Sequence, residues 1–182
     1  MFRALITFLL VSLLTMDTAW SRPATGAEKA ALAIRVQEFT GAFAAKDMDH
    51  VFGMMSPRIV DYLVSSGGIS VDELKRRTNA AWAEALKTVT LESFSMDMAK
   101  AEYLELSNGT PYGLIPTETV MSFDQDGQTQ RMAVRARTLA VLDGGKWYLV
   151  RIDDPKQLMI LRKTYPEFED VELPRGTMEA LK

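Results

Sequence analysis

Apolar residues recur at two periods along this chain, and the change from one to the other divides it. From residue 25 to about 90 the spacing is helical. Leu32, Val36, Phe39 and Phe43 follow one another at intervals of four, three and four, one stripe of a helix that Thr25 and Glu28 open as a capping box and that runs to about Lys46. Asp47-Met48-Asp49-His50 predicts a short helical piece through Met55. Ser56-Pro57 caps a third helix, with proline in its first position, and Ser65-Ser66-Gly67-Gly68 stops it. A second capping box, Ser70 with Glu73, opens a helix whose one face carries Leu74, Thr78, Ala81, Trp82, Ala85 and Leu86.

From residue 91 the period is two. Phe94, Met96 and Met98 alternate with Ser93, Ser95 and Asp97 in a strand expected over 91–106. The stretch 113–153 reads as three more strands joined by two-residue turns at Asp126-Gly127 and Gly144-Gly145, with Pro111 and Pro116 placing the start of the first of them near Thr117. Turn length sets register. One face then carries Thr117, Thr119, Met121, Met132, Val134, Ala136, Thr138, Ala140, Leu142, Trp147, Leu149, Arg151 and Asp153. The other carries Glu118, Val120, Ser122, Arg131, Ala133, Arg135, Arg137, Leu139, Val141, Tyr148, Val150 and Ile152, with Glu118 directly opposite Arg135. Asp154-Pro155 with Gln157 opens a last helix through Leu158, Met159, Ile160 and Leu161, ended by Pro166. The expected fold class is α+β, with N-terminal helices packed on a curved antiparallel sheet of about four strands and a short C-terminal helix.

At 182 residues, 47% hydrophobic and 25% charged, the chain has the makings of one globular domain. The net charge is −3 with Lys and Arg spread along the chain, which excludes the concentrated positive field of a nucleic-acid partner. Arg3, the apolar run 4–14 and Ala19-Trp20-Ser21 make residues 1–21 a signal peptide, cleaved near Ser21/Arg22, with an uncleaved anchor as the other reading. The domains expected are therefore 1–21, a folded unit over 22–166 and an acidic tail over 167–182 that lies loosely on the surface or reaches a neighbour. The absence of cysteine excludes disulfides and a lipidated cysteine. A periplasmic or secreted protein follows, in contact with the membrane only during export. Asn108-Gly109-Thr110 is read as a turn, or as a glycosylation acceptor in a eukaryotic secretory route.

The run from Phe39 to Asp49, Phe-Thr-Gly-Ala-Phe-Ala-Ala-Lys-Asp-Met-Asp, resembles the end of the first helix and the Asp-containing turn of the nuclear-transport-factor-2-like superfamily, the cystatin-like roll that also houses ketosteroid isomerases and SnoaL-type cyclases. Gly144-Gly145-Lys146-Trp147-Tyr148-Leu149-Val150 resembles that family's last hairpin. The resemblance implies a strongly curved sheet wrapped around the first helix, a conical pocket between them and frequent dimerisation through the outer sheet face.

One histidine, no cysteine, no nucleophile elbow and no Gly-rich phosphate loop leave nucleophilic catalysis without support, and no cofactor is expected. His50, beside Asp47 and Asp49, is read as part of a turn with caps rather than a metal site. The pocket hypothesis groups Arg151, Asp153, Thr138, Trp82 and Trp147 as the polar end of a ligand cavity, against a plain structural pair of Arg151 with Asp153. Arg131, Arg135 and Arg137 with Glu118 form either a homodimer face or a solvated face whose apolar end the last helix covers. The expected function is an exported non-enzymatic binding or accessory module for a small molecule or a protein partner. The alternative is an isomerase, cyclase or hydratase using a pocket acid such as Asp153 with Tyr62 or Tyr103. A third reading, an interaction protein, would show a filled cavity and an exposed apolar patch.

Overall fold

The computed structural model describes residues 23–181. The predicted signal peptide, with its cleavage point, and Lys182 lie outside the described residues. Helix α1 (Gly26–Ala44) starts at the predicted capping box, in which Thr25 Oγ1 accepts from Glu28 N–H and the Glu28 carboxylate accepts from Thr25 N–H. α2 (Met48–Gly53) is capped by Asp47, and α3 (Pro57–Gly67) by Ser56, ending at Gly68 in the left-handed conformation. α4 (Val71–Thr88) has only half of the expected box: Ser70 accepts from Glu73 N–H, while the Glu73 carboxylate turns to Arg76 and Arg77. Its apolar face is also shallower than the spacing suggests, with Leu74, Trp82 and Leu86 half-buried and Ala81 and Ala85 exposed.

α4 runs directly into strand β1 (Val89–Met96), followed by a 3-10 turn at Met98–Lys100 and β2 (Glu102–Glu105). The single strand expected over 91–106 is therefore two, because Asp97 caps the 3-10 turn by accepting from Ala99 N–H and interrupts the pairing. β3 (Pro111–Gln125) and β4 (Gln128–Asp143) form a long hairpin, and β5 (Lys146–Arg151) returns along β4. Both predicted two-residue turns are formed, with positive φ at Asp126, Gly127, Gly144 and Gly145, and the register places Glu118 opposite Arg135 and Thr138 opposite Arg151. β3 begins at Pro111, earlier than the prolines suggest. Pro116 is accommodated at the break between β1 and β2: its carbonyl accepts from Asp97 N–H, and no strand on that side asks for the N–H it lacks.

After α5 (Pro155–Thr164) and a 3-10 turn at Pro166–Phe168, the C-terminal segment does not lie loose. It forms β6 (Thr177–Leu181), antiparallel to residues 131–135 of β4, on the side where β5 covers 138–143. The curled antiparallel sheet therefore counts six strands but is four wide, each edge being two short strands laid end to end.

Helices pack on both faces rather than one. α1 lies on the face of Ile115, Ala140 and Trp147 through Leu32 and Val36. α3, α5 and the second 3-10 turn cover Leu114, Leu139, Val141 and Val150 with Ile59, Leu161, Tyr165 and Phe168. The reason is the run of apolar residues on successive positions, Leu139-Ala140-Val141-Leu142 and Trp147 to Val150, which leaves no polar face at that end of the sheet.

Candidate functional site

The five residues of the pocket hypothesis do not gather around one cavity. Trp147 is buried beneath α1, its indole N–H donating to the Glu28 carbonyl at 2.8 Å while Arg35 Nε donates to the Trp147 carbonyl at 3.0 Å. Thr138 is buried and shares a hydrogen bond of 2.7 Å with Thr117. Arg151 binds Asp153 side-on, Nε to Oδ1 at 3.1 Å and Nη2 to Oδ2, with the guanidinium exposed to solvent. Burial opposes ionisation of Asp153, but the hydrogen bond and charge of Arg151 outweigh it and hold the carboxyl below the usual carboxylate range. Trp82 sits at the opposite edge, edge-on to Phe43 in a cluster with Phe39 and Phe94. Tyr103, on β2, lies under the Lys29 ammonium, and Tyr62 belongs to α3 on the other face, so neither forms the dyad with Asp153. Asp47 caps α2 and Asp49 binds Asn79 and Lys75 of α4, so the two carboxylates that precede His50 are already engaged.

The arginines of β4 are all paired within the chain. Arg131 binds Glu92 of β1, Arg135 bridges Glu118 of β3 and Glu179 of β6, and Arg137 reaches Glu102 of β2. The Arg131 hydrogen bond holds the Glu92 carboxyl below its ordinary range. Such exposed pairs add little to stability but fix the direction of each guanidinium. The apolar end of this face is the part covered by α5.

Beside that ladder, on the face opposite α1, an open groove of about 420 Å³ is lined by Lys100, Pro116, Thr117, Glu118, Arg135, Ala136, Arg137, Pro174 and Arg175. It lies where both sheet edges break, between the Met98–Lys100 turn on one side and the segment leading into β6 on the other. That segment is pressed onto the sheet at Gly176: a Cβ there would meet Asp153 Cβ at 3.1 Å, Ala136 Cβ at 3.3 Å and the Arg135 carbonyl at 3.3 Å. A smaller hollow of about 200 Å³ lies between α1 and the Gly144-Gly145 turn, lined by Ile34, Arg35, Glu38 and Trp147 among others. Thus Glu118, Arg135 and Arg137 of the predicted ion-pair face line the larger groove, and Trp147 alone of the predicted pocket residues lines either hollow. Lys100 and Arg175 were missed. Arg175 had a signal, being the one cation between Lys163 and Lys182 in an acidic tail; Lys100 had none.

Away from the groove, the buried Ser56 and Tyr165 and the half-buried Asp143 form a chain of hydrogen bonds, with Arg58 over the Tyr165 ring at 4.1 Å. Burial, with the Asp143 carboxylate acting in the same direction, pushes the Tyr165 phenol up to about 12 against the opposing Ser56 hydrogen bond. Among the described residues no group of three or more His, Asp or Glu could hold a metal ion, and no helix is long and apolar enough to cross a membrane.

Comparison with protein-family models, with curated proteins and with solved structures found no match to this chain.

Proposed function

We propose that this protein is an exported, non-enzymatic binding or accessory module of the nuclear-transport-factor-2-like shape, working in the periplasm or outside the cell, and that it engages its ligand in the open groove rather than between α1 and the sheet. The observation that carries this reading is where space is left. Leu32, Val36 and Trp147 fill the region beneath α1, whereas the groove of about 420 Å³ lies open on the other face. The isomerase alternative asks for a general base near neutral pKa, and Asp153, held ionised by Arg151, is tuned the other way. A homodimer across Arg131, Arg135 and Arg137 would cover the same groove, so dimerisation and ligand binding compete for it.

The chain has no cysteine, so Arg175→Cys offers a single attachment point for a bulky maleimide at the groove wall. A thermal-shift screen of chemically diverse small molecules is expected to yield hits that bind the unlabelled protein and are lost on labelling. Hits that persist unchanged in the plugged protein place binding elsewhere and overturn the reading.

A further inference from the structure

The groove has a direction, and its charges are not evenly spread along it. Lys100 stands at one end, its turn tied to β3 where Asp97 N–H donates to the Pro116 carbonyl at 2.8 Å. The floor is Thr117 and Glu118 of β3 followed by Arg135, Ala136 and Arg137 of β4. Arg175 stands at the other end, its position set by the close packing of Gly176 on Ala136 and Arg135. Three strand spacings separate the two walls, a span of roughly 14 Å.

The donors left over are of one kind. Arg175 has no carboxylate partner among the described residues, and Lys100 has only the exposed Asp97 of its own turn. Arg137 spends Nη1 on Glu102, and Arg135 spends Nε on Glu118 and Nη1 on Glu179. This leaves Nε and Nη2 of Arg137, the side-on fork that grips a carboxylate or phosphate through two parallel N–H bonds, without a partner. The carboxylates that neutralise these arginines also orient them, so an incoming oxyanion need not displace Glu102. Glu118, in the floor, repels negative charge and accepts from a hydroxyl or amide.

Resting on the groove as the binding site, we infer that it takes an elongated small molecule with an oxyanion at each end, carboxylate or phosphate, and an uncharged hydrogen-bonding middle. The probes are linear dicarboxylates of graded length and the bisphosphates of linear diols of matching length, which carry an oxyanion at each end and none between, titrated calorimetrically into the intact exported protein at matched ionic strength. The matching diols and monocarboxylates serve as controls. One dianion class is expected to bind saturably, at least about tenfold tighter than its monoanion. Arg175→Gln removes an exposed, unpartnered side chain and so leaves the fold intact; it is expected to weaken that binding about tenfold, as is Arg137→Lys, which keeps the charge but loses the fork. Arg76→Gln, on α4, is expected to change nothing. The inference is overturned if neither dianion saturates by about 10 mM, or if both groove variants bind like the parent protein. Neutral ligands that bind and are lost on plugging Arg175→Cys would sink this inference while leaving the groove as the site. Dianions that bind equally well to the plugged protein would sink both.

Discussion

Tyr165 shows how much a single buried side chain decides here. The Tyr165 hydroxyl donates to Asp143 Oδ2 at 3.0 Å; Ser56 must then donate to Tyr165, which leaves the Ser56 oxygen free for the N–H of Ile59 at the start of α3. One relay thus joins the end of β4, the end of α5 and the cap of α3. Tyr165→Phe leaves Ser56 and Asp143 short of a partner and is expected to cost about 1–3 kcal/mol in urea unfolding. The pH dependence has a definite sign. With the phenol moved from 10 to about 12 on folding, the folded chain keeps its proton where the unfolded chain loses it, so the stabilisation is whole below 10 and declines as pH rises through that window. Tyr165→Phe should flatten that part of the stability profile; an unchanged slope refutes the assignment. Little of the candidate site was legible at this scale. Arg135 and Arg137 could be placed on one face because turn length fixes side-chain parity, but Lys100 and Arg175 join them only through chain folding that no local pattern encodes.

Elements were far more legible than sites, where local chemistry forms them. Asp126-Gly127 and Gly144-Gly145 adopt the positive φ that two-residue hairpins need, and Thr25, Ser56 and Asp154 cap the helices they precede. β6 was illegible because Thr177-Met178-Glu179-Ala180-Leu181 is mostly exposed and carries almost no burial pattern; what makes it a strand is the open side of β4 below the end of β5. The break at 97–101 did leave a trace in the sequence: the apolar phase moves from Phe94, Met96 and Met98 to Ala99, Ala101 and Tyr103, and Met96, Met98, Ala101 and Tyr103 all pack on the core under α1. A chain truncated after Gly176 is expected to lose hydrogen-exchange protection at those amides of 131–135 that face β6, while 138–143, paired with β5, keep theirs. Equal loss across both stretches would show that β6 is not a separate unit.

At the scale of the whole molecule, one sheet separates two cores. Ile115 belongs to the core under α1, and Ile59 to the core under α3 and α5. Ile115→Val and Ile59→Val should each cost about 0.5–1.5 kcal/mol. With no shared packing partners, their effects should add to within about 0.5 kcal/mol, in a single transition with an unchanged denaturant slope. A larger deviation would mean that the sheet transmits strain from one face to the other. The division of each edge also bears on self-association between chains. A continuous strand along either side of the hairpin would expose an edge nearly as long as β3 or β4, 15 and 16 residues, a template on which another chain could stack. Divided as they are, the free edges run 8 and 4 residues on one side and 6 and 5 on the other, the longest already kinked by a bulge between Leu91 and Ser93. The interruptions that open the groove therefore also deny amyloid-like growth a straight edge to extend.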